Sequence, residues 1–137
     1  FFYVEYVPVQ PGTESWELTQ DQRLELARRV EVLRSSTPAL YVSFPGDEDA
    51  TGGCLAAGRG FVHISARGDV EPCPFAPYSD SSVCRTSLRD ALKSPLLEAI
   101  RADHDQFRDT SGGCALWRRR EQVQALLESR NREQVRE

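Results

Sequence analysis

The stretch that decides the fold of this chain is GGCLAAGRGFVHISARGDVEPCP, residues 52–74. Thirteen residues separate Cys54 from Gly68, and four separate Gly68 from Cys73. Apolar and β-branched residues flank this glycine on both sides, and glycine supplies the positive φ that a tight turn needs. The pattern predicts a β-hairpin with Cys73 at its base. The two predicted strands are residues 60–65 and 69–73.

The remaining cysteines lie far from this hairpin in sequence or lack its glycines. Gly112-Gly113-Cys114 repeats the order of Gly52-Gly53-Cys54, whereas Cys84 has no adjacent glycine and follows the turn-like segment 79–83. No two of the four cysteines form the C-x-x-C pair that structural zinc sites commonly use. Thiolates from separate segments, beside glycines that let the backbone approach closely, predict one bulky soft-metal centre, which we interpret as an iron–sulfur cluster.

Spacing alone leaves two alternatives open, an iron–sulfur cluster and a zinc site with inert thiols. Two disulfides in a secreted domain are a third, but 39% hydrophobic residues are enough for a core that folds without them. For Cys84 two roles stay open. It is either the fourth ligand or a packed thiol, since cysteine behaves as a small apolar residue.

The segments on either side of the hairpin predict mixed α/β structure. Residues 1–9 are almost continuously apolar, which indicates a strand buried on both faces. A capping box at Thr19 predicts a helix to about Arg34, and residues 40–44 predict a second strand, so the chain opens as strand–helix–strand. After a polar linker that begins at Pro45, further helices are expected. Their predicted starts are Ser87, Ser94 and Ala115, the last helix ending near Arg132.

Composition excludes some classes of function. The formal net charge of −4 argues against a nucleic-acid-binding surface. No apolar run is long enough to span a bilayer, so we expect a cytoplasmic protein without membrane contact. The sequence contains no methionine and begins within an apparent strand, from which we expect the C-terminal piece of a longer protein. His63, on the first hairpin strand, is expected to be a hydrogen-bonded packing residue rather than a ligand.

The region 53–74 resembles the first half of the auxiliary-cluster module of radical S-adenosylmethionine enzymes, called SPASM or, in its shorter form, twitch. The resemblance rests on Gly53-Cys54-Leu55-Ala56-Ala57-Gly58, on Phe61-Val62-His63-Ile64 and on Gly68-Asp69-Val70-Glu71-Pro72-Cys73-Pro74. The segment 87–96 is similar to the short helix that follows in that family. The match covers about residues 50–117.

This resemblance implies an α/β (α+β) architecture. Residues 1–44 would be the end of a partial (β/α) barrel, and residues 45–137 a small cluster module of a β-hairpin and helices. It implies an auxiliary [4Fe–4S] cluster held by Cys54, Cys73 and Cys114, with Cys84 as the doubtful fourth ligand. In the full-length enzyme it implies S-adenosylmethionine and a second [4Fe–4S] cluster.

The resemblance also implies partners. They are the upstream barrel half of the same protein, an electron donor such as a ferredoxin or flavodoxin, and an unidentified substrate, for which a peptide is one candidate. The radical-generating motif C-x-x-x-C-x-x-C is absent from this sequence, so the chain is not expected to be active alone. Two rival functions are a zinc-stabilised binding module without a redox role and a stand-alone electron-transfer protein.

Overall fold

The computed structural model describes residues 1–134 as a mixture of helices and two small sheets, which confirms a mixed helix and strand class. Contacts divide the chain into two compact units. Unit 1 comprises Phe1–Cys54 and Arg108–Ala115, and unit 2 comprises Leu55–Phe107 and the chain from Leu116 onward. Each unit is therefore described by itself.

Unit 1 is built on the predicted strand–helix–strand order. Strand β1 (Phe2–Val4) pairs in parallel with β2 (Val42–Phe44), and helix α1 (Gln20–Ser36) connects them. The capping box that begins α1 is present: the Thr19 N–H donates to Gln22 Oε1 at 2.8 Å, and the Gln22 N–H donates to Thr19 Oγ1 at 3.3 Å. Side-chain hydrogen bonds therefore satisfy two of the amides that the helix start leaves without partners.

The predicted nine-residue first strand is wrong in length, since β1 covers only Phe2–Val4. The last ladder bond joins the Glu5 N–H to the Phe44 carbonyl at 2.9 Å. The next N–H that could continue this ladder is that of Gly46, which already belongs to the 3₁₀ turn Gly46–Thr51, so the ladder ends. An apolar run alone does not tell where the partner strand stops.

The expectation that this strand is buried on both faces is also wrong. Side chains alternate between the faces of a strand, and those of Phe2 and Val4 are 72% and 61% exposed. Their paired residues on that face, Val42 and Phe44, are half-buried. One face of the parallel pair is thus largely open within unit 1, which is unusual for parallel strands.

Unit 2 contains the predicted hairpin, with β3 (His63–Ile64) antiparallel to β4 (Val70–Glu71). Gly68 has φ +83°, as the predicted turn requires. Both strands are shorter than predicted. Before the first strand, the Gly60 N–H donates to the Leu55 carbonyl, so residues 55–60 form a loop of their own.

The helices of unit 2 begin where the sequence predicts them. Ser87 caps α2 (Leu88–Ala91), and Ser94 caps α3 (Pro95–Ala102) by accepting a hydrogen bond from the Leu97 N–H. The final predicted helix is instead two helices, α4 (Ala115–Arg118) and α5 (Arg120–Gln134). Short 3₁₀ turns complete the chain: Glu14–Trp16, Gly46–Thr51 and His104–Phe107.

The core of unit 2 is formed where α3 and α5 pack. Its fully buried side chains include Val70, Leu96, Leu97, Phe107, Leu116 and Val123. Within residues 1–134, no helix is both long enough and apolar enough to cross a membrane.

Candidate metal centre

Cys54 ends the first segment of unit 1 and is buried, with 8% of its surface exposed. It follows the 3₁₀ turn Gly46–Thr51, whose C-cap glycine has φ +80°. The next residue, Gly53, has φ +103°, and its N–H donates to the Glu48 carbonyl at 2.8 Å. A Cβ added at Gly53 would lie only 2.5 Å from the Cα of Arg108. Glycine is thus required here because another segment of backbone packs against it.

Cys114 belongs to the second segment of unit 1 and is half-buried. It also follows a glycine in the left-handed region, since Gly113 has φ +97° and donates its N–H to the Thr110 carbonyl. A Cβ at Gly113 would lie 2.8 Å from Nη2 of Arg23. The repeated Gly-Gly-Cys therefore has a shared backbone geometry, but an added Cβ would meet the Arg108 backbone at Gly53 and the end of the Arg23 side chain at Gly113.

Two contacts hold the Cys54 and Cys114 segments beside each other within unit 1. Gly53 packs on the backbone of Arg108. In addition, the Thr110 hydroxyl donates to Asp49 Oδ1 at 2.8 Å, and Thr110 is only 3% exposed. Segments distant in sequence are thus neighbours in unit 1, as a shared centre requires.

Cys73 lies in unit 2, directly after the hairpin, and is 4% exposed. Pro72 and Pro74 flank it, and the Ala76 N–H donates to its carbonyl at 3.0 Å in a tight turn. The fold-back loop 55–60 reaches this point, because the Ala57 N–H donates to the Pro72 carbonyl at 3.0 Å. Ala57, the third residue after Cys54, is therefore hydrogen-bonded to Pro72, the residue before Cys73.

Ala57 is the one feature of this loop that the sequence did not reveal. It has φ +57°, an uncommon conformation for a residue with a Cβ, and it is fully buried. Its N–H donates to the Pro72 carbonyl, and its own carbonyl accepts a hydrogen bond from Arg101 Nη1 at 2.7 Å. Strained backbone of this kind persists where surrounding contacts fix it, which is common at functional sites.

Cys84 lies at the opposite end of the hairpin from Cys73. Its thiol donates to the Arg67 carbonyl at 3.5 Å, and its Sγ is 2.6 Å from the position that a Cβ on Gly68 would take. Gly68 is the turn glycine, whereas Cys73 follows the last strand residue. Cys73 is five positions beyond Gly68, which corresponds to roughly 16 Å of extended chain.

Within the turn-like segment 79–83, Ser82 is buried, with 2% of its surface exposed. The segment runs along the outer edge of β4: the Val70 N–H donates to the Ser81 carbonyl, and the Val83 N–H donates to the Gly68 carbonyl. Ser82 Oγ also donates to the Gly68 carbonyl at 3.0 Å. Serine hydroxyls satisfy the carbonyls of the hairpin, and this pairing holds Cys84 at the hairpin tip.

His63 has the hydrogen-bonded role that the sequence indicated. Its Nδ1 lies 2.8 Å from Oε2 of Glu71, the residue directly opposite on β4. The side chain of Glu71 is 8% exposed and that of His63 is 39% exposed. The pair joins the two hairpin strands, so His63 has a structural partner.

Residues 1–134 contain no group of three or more His, Cys, Asp or Glu side chains that the structure assembles as a metal site. A centre formed by Cys54, Cys73 and Cys114 therefore stays a prediction. No family model, curated protein or solved structure matches the chain.

Proposed function

We propose that this chain is the C-terminal, auxiliary-cluster portion of a radical S-adenosylmethionine enzyme, serving electron relay or substrate anchoring. The observation that carries the proposal is the fold-back of residues 55–60 onto the hairpin base. The Ala57–Pro72 hydrogen bond joins the sequence after one predicted ligand to the sequence before another. This contact gives a physical reason for the cysteine–glycine–cysteine spacing that the resemblance rests on.

The donor chemistry fits an iron–sulfur cluster. Cys54 and Cys73 are buried thiols and Cys114 is half-buried, and thiolate is the ligand that such clusters take in proteins. These three residues would hold the cluster, which when bound supplies one-electron transfer or an iron site for substrate. The chain's own contribution is to bury the thiols, which limits water access and thereby tunes the potential of a bound centre.

Cys84 is the weakest member of the predicted ligand set. Cys84 is exposed, and its thiol donates to the Arg67 carbonyl at the hairpin tip. Ligation would require segment 81–83 to give up its hydrogen bonds along the edge of β4. This position favours the alternative in which Cys84 is not a ligand. The proposal therefore takes Cys54, Cys73 and Cys114 as the ligand set.

Within residues 1–134, unit 1 has a free strand edge and an exposed apolar face that the proposed upstream barrel half would contact. Among the described residues, strand β1 pairs with β2 on one side only, and the apolar face that bears Phe2 and Val4 is open. Parallel sheets are ordinarily covered on both faces and extended by further strands. In the proposed barrel, preceding strands would pair with the free edge of β1 and the opposite side of the barrel would cover this face. The radical-generating motif C-x-x-x-C-x-x-C, absent here, would lie in that half.

The test is anaerobic reconstitution with iron and sulfide, followed by iron, sulfide and zinc analysis of three proteins. The wild type is expected to take up about four irons with matching sulfide, as a cubane cluster does. Cys73→Ser should lose most of that iron, whereas Cys84→Ser, the matched control, should keep it. Stoichiometric zinc without sulfide in the wild type would instead establish the zinc-stabilised module.

A further inference from the structure

Unit 1 contains a cavity of about 140 Å³ that the cluster proposal does not use. It lies near the ends of the two parallel strands: Glu5 directly follows β1, Ser43 lies within β2, and Gly46 and Asp49 follow β2. In open α/β sheets, ligands bind outside the carboxyl ends of the strands. The size suits a small molecule, since an engineered cavity of about 150 Å³ holds benzene.

The cavity is on the helix-covered face of the sheet. Residues alternate along β1, so Tyr3 and Glu5 share one face, and Phe2 and Val4 share the other. Glu5 is bonded to Arg23 of α1, which identifies its face as the one that the helix covers. The cavity is therefore distinct from the open apolar face.

A buried ion pair forms the polar wall. Glu5 Oε2 accepts a hydrogen bond from Arg23 Nε at 2.7 Å, and the two side chains are 7% and 14% exposed. Among residues 1–134, the second carboxylate oxygen of Glu5 accepts no hydrogen bond. That oxygen keeps some accessible surface, and Glu5 is one of the residues that line the cavity.

The charge balance of the lining is negative. Two carboxylates, those of Glu5 and Asp49, face one guanidinium, that of Arg23. Arg23 has a further acidic neighbour in Glu17, at 3.7 Å from its Nη2. A carboxylate held in a cleft with one oxygen unused is complementary to a cation that donates N–H bonds.

Part of the lining is apolar. Leu24, Leu26 and Ala27 of α1 line it, and Leu24 is 61% exposed although it is a large aliphatic residue. A ligand with a short aliphatic chain would cover this surface while its charged end meets Glu5. Burial of apolar surface favours such a ligand over a bare inorganic cation.

We propose that this cavity binds the ammonium group of a small aliphatic ligand. Glu5 is the principal acceptor, and Arg23 orients the Glu5 carboxylate. An amine and an α-amino acid both carry this group. The site is independent of iron, so the proposal does not rest on the auxiliary cluster.

The experiment is calorimetric titration of the full chain with three probes. They are isobutylamine, L-valine and 3-methylbutanoate, the last of which has the aliphatic chain and a carboxylate but no ammonium. Isobutylamine is expected to bind and 3-methylbutanoate is not. Tighter binding of L-valine than of isobutylamine would support the proposal and assign the α-amino acid as the ligand class.

Variants separate recognition from folding. Glu5→Gln keeps an acceptor for Arg23 but removes the charge, and should weaken isobutylamine binding about tenfold or more, as loss of a charged hydrogen bond does. Glu25→Gln is the control, because Glu25 is on the same helix but outside the cavity. Circular dichroism checks the fold of each variant.

Three results would overturn the proposal. They are equal affinity of the wild type for isobutylamine and 3-methylbutanoate, no binding of either amine, and unchanged affinity in a folded Glu5→Gln. Should Glu5→Gln not fold, the selectivity of the wild type between the amine and the acid still decides the case.

Discussion

The two compact units differ in how their apolar side chains are covered. In unit 2, Phe107 and Leu96 are at most 1% exposed, and α3 and α5 pack against each other. In unit 1, Phe2, Val4 and Leu40 are all more than 60% exposed, and Val30 is the fully enclosed large side chain of α1. Unit 2 has a core of its own, whereas unit 1 carries apolar surface that calls for a cover.

The strongest test of this contrast compares one phenylalanine from each unit. Phe107→Ala should lower the free energy of unfolding by about 3–5 kcal/mol, because it opens a cavity in a packed core. Phe2→Ala should change it by about 0.5 kcal/mol or less, since the ring is already exposed. Urea unfolding followed by circular dichroism measures both. Similar losses in the two variants would remove the distinction between the units.

A second comparison concerns glycines within unit 1. Gly53→Ala should destabilise the protein by about 1–3 kcal/mol through overpacking, because the new methyl would meet the Arg108 backbone. A conformational cost of about 1–2 kcal/mol for the left-handed φ adds to this. Gly12 has a similar φ of +84°, but a methyl group there would meet no atom within 4 Å, so Gly12→Ala should show only the conformational cost. Thermal unfolding distinguishes them, and equal shifts would mean that the 53–108 contact contributes nothing.

The smallest expected effect concerns acid and the ion pairs of unit 1. Hydrogen bonds from Arg28 and Arg29 lower the pKa of Glu25 to about 2. Burial raises the pKa of Asp47, but hydrogen bonds from Arg34 and the Ser43 N–H outweigh it, so this pKa is lowered overall. Both folded-state values lie below the unfolded ones. The stabilisation is therefore present above the unfolded values and is lost as pH falls through each lowered pKa, which for Glu25 is about 2.

The expected loss is small, because exposed ion pairs are screened by solvent. Glu25→Gln should flatten part of the decline in urea midpoint between pH 4.5, its ordinary pKa, and pH 2. Gln106→Ala, an exposed substitution in unit 2 that changes no titratable group, is the control. A decline identical in Glu25→Gln and wild type would show that this carboxylate does not contribute.

Local signals were enough to predict much of this fold. Caps at Thr19, Ser87 and Ser94 depend on hydrogen bonds within three residues, so the sequence around them carries the information. The turn at Gly68 is likewise local, because only its own φ is required. These elements are present as predicted.

Pairing between distant segments could not be predicted in the same way. The stop of β1 depends on where its partner segment enters the 3₁₀ turn Gly46–Thr51, and the burial of Ser82 depends on its place along β4. The left-handed Ala57 depends on bonds to Pro72 and Arg101, which no local pattern indicates. The glycine-flanked cysteines of the candidate centre could be recognised in the sequence. The Glu5–Arg23 pair of the cavity could be recognised only in the structure.

The discontinuity of unit 1 has a consequence for the order of folding. Gly53 packs on Arg108, so the contact closes a loop made of the whole intervening chain, and the entropic cost of closure rises with loop length. During synthesis, residues 108–115 emerge after residues 55–107 but before α5, which packs on α3 in the core of unit 2. If residues 55–107 are ordered first, the loop is effectively shorter and closure costs less. The Gly53–Arg108 contact should thus form after the hairpin, and a metal that needs Cys114 would be captured late.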